Sequence, residues 1–354
     1  MRLWRKKLIT INRNGDHVSP KILIIPARKH AAEAYSEYLI RYLSDEFYFE
    51  MGYPPEPPYE DIKKRVWTGS TSPLEKNPDE FDLIYPHFPS HTFVQPAEKY
   101  WKKMVYVYFE PTYPSKDVAA VAATNKPVEK SFEGFGKPYF NLRFGIDTEL
   151  FKPYKMVRKD DKFHIGFTGN IQTPRRYLKD LFMPLQSLPD SSLVIFPAVW
   201  YKHTRADEIE SMGGQPLIDA IVEGDKWWSG FPNCYNQMDV FVRCDINPGY
   251  QFSVLEAAAC GIPVVTTDPG LGKELCDAGG GIYVEAIDGN CEPQVLEELA
   301  LRIRIAVCQI KDDPSLKEKM GKAGRKFVEE NYTWDKVIPA WREFFREGLK
   351  NAKM

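Results

Sequence analysis

The chain has no run of eighteen apolar residues, so the sequence offers no transmembrane helix. Its start lacks the apolar core of a signal peptide, and none is expected. Cysteine is sparse. The six thiols (Cys234, Cys244, Cys260, Cys276, Cys291 and Cys308) include no C-x-x-C pair, which removes the usual zinc-ligand and redox spacings. Scattered thiols of this kind suit a reducing compartment, and the expected location is cytoplasmic. The acidic pair Asp-x-Asp is also absent, so no metal site is expected. Neither sign of charge dominates. A net charge of −2 argues against a nucleic-acid partner.

What is present begins with length: 354 residues are enough for two domains. Aromatic residues make up 14% of the chain and there are 28 prolines, which points to long, aromatic-lined loops. The first thirty residues are basic, with Arg2, Arg5, Lys6, Lys7, Arg13, Lys21, Arg28 and Lys29 against Asp16 alone. Such an end suits a solvated surface, an anionic membrane face or an acidic acceptor.

Strand and helix signals alternate along the chain. Lys21–Pro26 reads as a buried strand and Ala31–Leu43 as a helix, with Tyr35, Tyr38, Leu39 and Tyr42 on one stripe. Residues 52–58 (GYPPEPP) exclude regular structure. Phe81–Tyr85 and Met104–Tyr108 read as parallel strands, and Val118–Asn125 with Tyr139–Arg143 as the end of the first sheet. Leu8–Asn12, followed by Asn14-Gly15, reads as an added edge strand and turn. The alternation restarts at Phe163–Gly169 after a polar linker, and residues 332–346 read as helical.

The most informative stretch is Asp239–Glu285. It combines an apolar strand (Val240–Val242), a Pro-Gly loop, a helix (Ser253–Cys260), a Gly-Ile-Pro turn and a second strand (Val264–Thr267). A parallel β-α-β arrangement puts that loop and helix N-terminus at the carboxyl edge of the sheet, where α/β folds bind ligands. Ser253 is placed to cap the helix, with Val254-Leu255-Glu256 as its first turn. Unpaired N–H groups and the positive dipole end there suit a phosphate. Gly249 allows close backbone approach. Glu256 is placed to accept hydrogen bonds from ribose hydroxyls, although a Glu there also simply favours the helix dipole.

Over these residues the chain resembles the donor site of GT-B glycosyltransferases, most closely the retaining enzymes of family 4 (glycosyl transferases group 1). Their pattern E-G-F-G-x-x-x-x-E-A-x-A-x-G-x-P-V-V-x-T-D-x-G-G is met at Gly249, Glu256, Ala257, Ala259, Gly261, Pro263, Val264, Val265, Thr267, Asp268 and Gly270 without an insertion. Pro248 stands where the first Glu is expected, and Tyr250-Gln251 replace Phe-Gly. The segment 144–153 (FGIDTELFKP) is similar to N-G-V-D-x-x-x-F-x-P, which ends the first domain of such enzymes.

The resemblance implies an α/β, GT-B architecture of two Rossmann-like doubly wound domains facing a central cleft. Residues 1–150 would form the acceptor-side domain and 151–330 the nucleotide-sugar domain, with 331–354 a helix packing back on the first. It implies metal-independent, retaining chemistry. A sugar moves from a UDP-, GDP- or ADP-linked donor to a glycan, lipid-linked or small-molecule acceptor, with no other cofactor. The alternative is a catalytically weakened GT-B protein that binds a nucleotide or glycan.

Site residues follow from the same resemblance. The run 168–176 (TGNIQTPRR) is similar to G-R-L-x-x-x-K-G, which supplies an Arg and a Lys to the donor diphosphate. Asn170 takes the Arg position and Arg175 the Lys position; Arg176 replaces a Gly. The implied catalytic residues are Arg175 and Glu256. The implied donor-binding set is Gly169, Asn170, Arg175, Arg176, Gly249, Tyr250, Gln251, Phe252, Ser253, Val254 and Glu256. Acceptor-side candidates are Arg28, which with Lys29 and His30 replaces the family's Gly-Gly loop, together with His87, His91 and Glu110. Glu274 fits the Glu of G-G-x-P-E, with Leu271 and Lys273 replacing the second Gly and the Pro. Trp227, Trp228 and Phe231 could border the base or acceptor, or pack in the core.

Overall fold

The computed structural model describes residues 19–25, 31–52, 76–86, 98–115, 117–158, 160–169, 178–197, 210, 214–216, 230–244, 252–286 and 292–353. The proposed edge strand at Leu8–Asn12 and most of the proline-rich 52–58 segment lie outside these residues. The chain divides into two compact units. Unit 1 comprises Met1–Thr124, Val128–Phe144 and Val337–Met354; unit 2 comprises Asn125–Pro127 and Gly145–Lys336.

In unit 1, strands β1 (Lys21–Ile25), β2 (Tyr48–Met51) and β3 (Leu83–Pro86) pair in the order β2-β1-β3, all parallel. Strands β4 (Val105–Tyr108), β5 (Ala120–Ala123) and β6 (Phe140–Asn141) form a second parallel set in that order. A parallel bridge between Ile84 and Met104 carries one set to the other. Strands β1, β3 and β5 are buried almost throughout, as parallel strands covered on both faces are, so they read as unbroken apolar runs. Edge strand β2 is half-exposed and carries Glu50, and sequence reading missed it. Helix α1 (Ala31–Leu43) buries Tyr35 and Leu39, while Tyr38 and Tyr42 are half-buried, so the stripe is mainly core.

The helix Trp334–Ala352 supplies the largest side chains of this core. Trp341, Phe344 and Phe345 are fully buried. The Trp341 ring lies 4.8 Å from Phe144 and 5.6 Å from Tyr85, and Phe345 packs edge-on to Tyr85 at 5.8 Å. The indole N–H of Trp341 donates to the Arg143 carbonyl at 2.8 Å, satisfying its one polar atom.

In unit 2, six parallel strands form one sheet: β7 (Phe163–Gly169), β8 (Ser191–Pro197), β9 (Gln215–Pro216), β10 (Val240–Arg243), β11 (Val264–Thr266) and β12 (Gly281–Tyr283). Their order is β12-β11-β10-β7-β8-β9. Successive strands run outward in opposite directions from the β7/β10 pair, which makes that pair the switch point where a ligand crevice forms at the carboxyl ends. Sequence reading had no strand at Ser191–Pro197, although its Leu-Val-Ile-Phe run follows a Pro-Asp turn.

The opposite, amino edge is fixed by charge. Buried Asp239 precedes β10 and accepts from Arg158 Nη1 at 2.6 Å, Lys317 Nζ at 2.7 Å and the His164 N–H at 2.9 Å. Burial alone would raise its pKa, but these donors outweigh burial and hold the carboxyl below its usual range.

Short helices follow the strands. They are α2 (Phe231–Tyr235), α3 (Phe252–Ala259) and α4 (Leu271–Asp277), then the longer α5 (Pro293–Asp312) and α6 (Pro314–Asn331). Every residue of α3 except Ser253 is buried. Ala258 is small because α6 lies against it: a Cβ on Gly324 would sit 3.4 Å from the Ala258 Cβ. Gly261 ends the helix at φ 74°. Arg325 of α6 closes it, donating from Nη1 to the Ala259 carbonyl at 2.6 Å and the Phe151 carbonyl at 3.2 Å. The alternating small residues after Glu256 are therefore a packing code.

A Cβ on Gly321 would fall 2.2 Å from the Gly261 carbonyl oxygen, a backbone atom that cannot swing aside. Alanine is the better helix former by about 1 kcal/mol, but overpacking of this kind costs about 1–3 kcal/mol. Gly321→Ala is expected to lower the midpoint of chemical denaturation. An unchanged or raised midpoint would show that the α6 approach is looser than the geometry requires.

Candidate functional site

The carboxyl ends of β7 and β10 bring Thr168 and Arg243 together. Buried Arg243 reaches across from β10, and its Nη1 donates to the Thr168 carbonyl at 2.9 Å while its guanidinium lies 5.9 Å from the Phe167 ring centroid. Helix α2 starts at Gly230 with Pro232 in its first turn, where the missing N–H costs nothing. It delivers Tyr235 to the same edge.

Tyr235 and Glu256 form the centre of the site. They are 2% and 6% exposed. The Tyr235 hydroxyl donates to Glu256 Oε2 at 2.6 Å, a charge-assisted distance. Burial first, then the neighbouring Glu256 carboxylate, push the phenol far above its usual range, and the nearby Thr168 side chain opposes this only in part. Tyr235 is therefore a neutral O–H donor. Burial, together with the Glu256 charge, also raises the thiols of Cys234 and Cys260, so both stay protonated.

Asp268 has a different role. Fully buried, it accepts from the Gly270 N–H at 3.0 Å and the Gly272 N–H at 2.7 Å, while its own N–H donates to Thr266 Oγ1 at 3.1 Å. It thus sets the turn from β11 into α4. Gly272 is needed there, because a Cβ would lie 2.7 Å from Thr266 Cγ2. Glu274 lies in α4, and its Oε2 accepts from the Tyr332 hydroxyl at 3.3 Å.

Of the residues singled out from sequence, Phe252, Ser253, Val254 and Glu256 lie on α3, and Gly169 ends β7 at the same sheet edge. One detail differs. The helix begins at Phe252, whose side chain is buried, so Ser253 sits inside the first turn and does not cap it. The capping position, 251, is outside the described residues. So are Asn170, Arg175, Arg176, Pro248, Gly249, Tyr250 and Gln251, along with Trp227 and Trp228. On the acceptor side, Arg28, His87 and His91 are outside them too; Glu110 is exposed beyond the end of β4. Sequence reading missed Tyr235 and Arg243. Nothing nearby in the chain marks Tyr235, since its partner lies 21 residues on. Among the described residues no three His, Cys, Asp or Glu side chains could hold a metal ion, and no helix is long and apolar enough to cross a membrane.

Residues 162–299 match the family model described as glycosyl transferases group 1. Over this stretch the chain is similar to group 1 glycosyl transferases. The matched stretch covers the sheet of unit 2 from β7 to β12 and includes both Tyr235 and Glu256. A curated relative, the GDP-mannose-dependent monoacylated alpha-(1-6)-phosphatidylinositol monomannoside mannosyltransferase of Corynebacterium glutamicum, is 24% identical over 229 residues, 58% of this chain and 55% of its own. The chain spans about half the length of the curated relatives it matches. Sucrose-phosphate synthase from Thermosynechococcus elongatus is structurally similar, with a TM-score of 0.67 and 13% identity over 93% of this chain and 98% of that one. Anabaena HepE in complex with UDP-glucose has a TM-score of 0.60 and 15% identity over 93% and 99%. The fold is GT-B.

Removing the Asp268 carboxylate strands two buried N–H groups at the head of α4. Asp268→Ala is expected to cost about 1–2 kcal/mol, the range for losing a helix cap, read by urea denaturation. A variant as stable as the parent would mean that the turn holds without its side chain.

Proposed function

We propose that the protein is a glycosyltransferase that moves a sugar from a nucleotide-sugar donor to an acceptor, with the donor nucleotide held by unit 2. The observation that carries this reading is Glu256. A buried carboxylate, fixed by a hydrogen bond and set on α3 beside the β7/β10 switch point, is suited to accept from ribose hydroxyls.

The chemistry then falls to the leaving group. Negative charge grows on the diphosphate as the glycosidic bond breaks. Arg175, which follows β7 in sequence, neutralises it as a bidentate fork, and the α3 N-terminus adds partial positive charge. In the retaining course the acceptor hydroxyl attacks the anomeric carbon on the face the diphosphate leaves. Its proton passes to the departing phosphate oxygen, so no protein nucleophile is needed. Nor is a divalent ion. The donor is UDP-, GDP- or ADP-linked; relatives named for GDP-mannose and crystallised with UDP-glucose support the first two. The corynebacterial relative is named for a phosphatidylinositol mannoside, which supports a lipid-linked acceptor here. Peripheral contact of the basic N-terminal stretch with a membrane, in a cytoplasmic protein, belongs to the same reading.

Pro248, at the position of the first Glu of the donor pattern, favours a second reading: a catalytically weakened protein that binds the nucleotide without efficient transfer. Incubation with UDP-, GDP- and ADP-sugars, with and without EDTA, separates the two. Slow release of nucleoside diphosphate from one donor, unaffected by EDTA, is the expected result. Binding without turnover supports the second reading, and loss of turnover restored by manganese would sink the metal-independent course.

Arg175 acts on charge that rises in the transition state, so Arg175→Ala is expected to lower kcat more than it raises donor KM. Loss of one such donor costs about 2.7–4 kcal/mol, or on the order of a hundred- to a thousandfold in rate. Arg175→Lys should recover part of it. Unchanged turnover in Arg175→Ala would place the diphosphate elsewhere.

A further inference from the structure

We propose that Tyr235 is a positioning residue that sets the donor site's preference for a ribonucleotide, by holding the Glu256 carboxylate in the orientation that receives the ribose hydroxyls. This rests on the reading of Glu256 given above. The contact joins two helices: Tyr235 comes from α2 and Glu256 from α3.

The geometry is that of a relay anchored in the sheet. Arg243 of β10 holds the Thr168 carbonyl at the end of β7. The Thr168 side chain sits beside Tyr235, whose hydroxyl in turn holds Glu256 Oε2 at 2.6 Å. Strands β7 and β10 are paired neighbours at the middle of the sheet, so the chain starts from its interior. A free glutamate has three side-chain torsions to order on binding. Glu256 has them ordered beforehand, and a preorganised group binds more tightly than one ordered by its ligand.

A hydroxyl that only filled space would affect all ligands alike. One that orients Glu256 affects only ligands carrying the ribose hydroxyls. The test compares UDP and GDP with their 2′,3′-dideoxy analogues by titration calorimetry, in the wild type, Tyr235→Phe and Glu256→Gln. For whichever base binds more tightly, the wild type is expected to prefer the ribonucleotide by roughly tenfold or more, the range for a hydrogen bond to a charged group. Tyr235→Phe should cut that preference to about threefold or less while leaving dideoxy affinity nearly unchanged. In turnover it should raise donor KM more than it lowers kcat, the opposite of Arg175→Ala.

The outcomes separate the two ideas. If Glu256→Gln loses the preference and Tyr235→Phe keeps it, Glu256 stands as the ribose group and Tyr235 does not position it. If Glu256→Gln keeps it, or the wild type shows none, the ribose assignment fails and the role of Tyr235 with it. If Tyr235→Phe does not fold, Thr168→Val carries the test, because it removes the hydroxyl beside Tyr235. A reduced preference in that variant supports the relay, and an unchanged one overturns it.

Discussion

A carboxylate kept out of water at the edge of a parallel sheet imposes conditions on everything around it. Without donors, Glu256 would take up a proton or turn outward, because burying a bare charge costs several kcal/mol. Tyr235 answers that condition, and its own burial answers the next, since a phenol in this setting cannot ionise and compete. Both side chains must then be held by backbone that does not move. That requirement reaches down through Thr168 and Arg243 into the centre of the sheet.

The same requirement accounts for the residues that surround α3. A helix that carries a buried charge on one side is packed on its others, and where α6 meets it only small side chains fit. Hence Ala258 opposite Gly324, Gly321 against the Gly261 carbonyl, and the arginine that closes the helix end. The amino edge of the sheet meets the opposite problem. There, Asp239 is paired directly with two cations, a fixed ionic tie with no capacity reserved for a ligand. Two buried acids on one sheet thus serve different ends, according to which edge they occupy.

Much of this is legible in the chain because parallel strands buried on both faces leave continuous apolar runs. Lys21–Ile25, Phe163–Gly169 and Val240–Arg243 announce themselves in that way. Tyr48–Met51 does not, since an edge strand needs only one covered face and its Glu50 breaks the run. The stretch from Glu256 to Gly270 is legible for a second reason: small residues and turns recur in it at fixed spacing. Tyr235 is invisible by the same logic. Its significance lies in a partner on another helix, and a tyrosine in a short helix reads equally well as core. The helix start shows the limit of local rules, as Ser253 is a good cap by chemistry but burial of Phe252 extends the helix past it.

The aromatic seam of Trp341, Phe344 and Phe345 ties unit 1 to a part of the chain far from the rest of it. Val337 follows Phe144 by roughly 190 residues. At synthesis rates of about 5–20 residues per second, that is a wait on the order of 10–40 s. During that interval the strands of unit 1 have left the ribosome without the rings that cover Tyr85, Phe47 and Phe140. Unit 2, nearly continuous in sequence, has no such delay. The order of completion is therefore the reverse of the order of synthesis, and the first sheet stays without these rings until the last helix emerges.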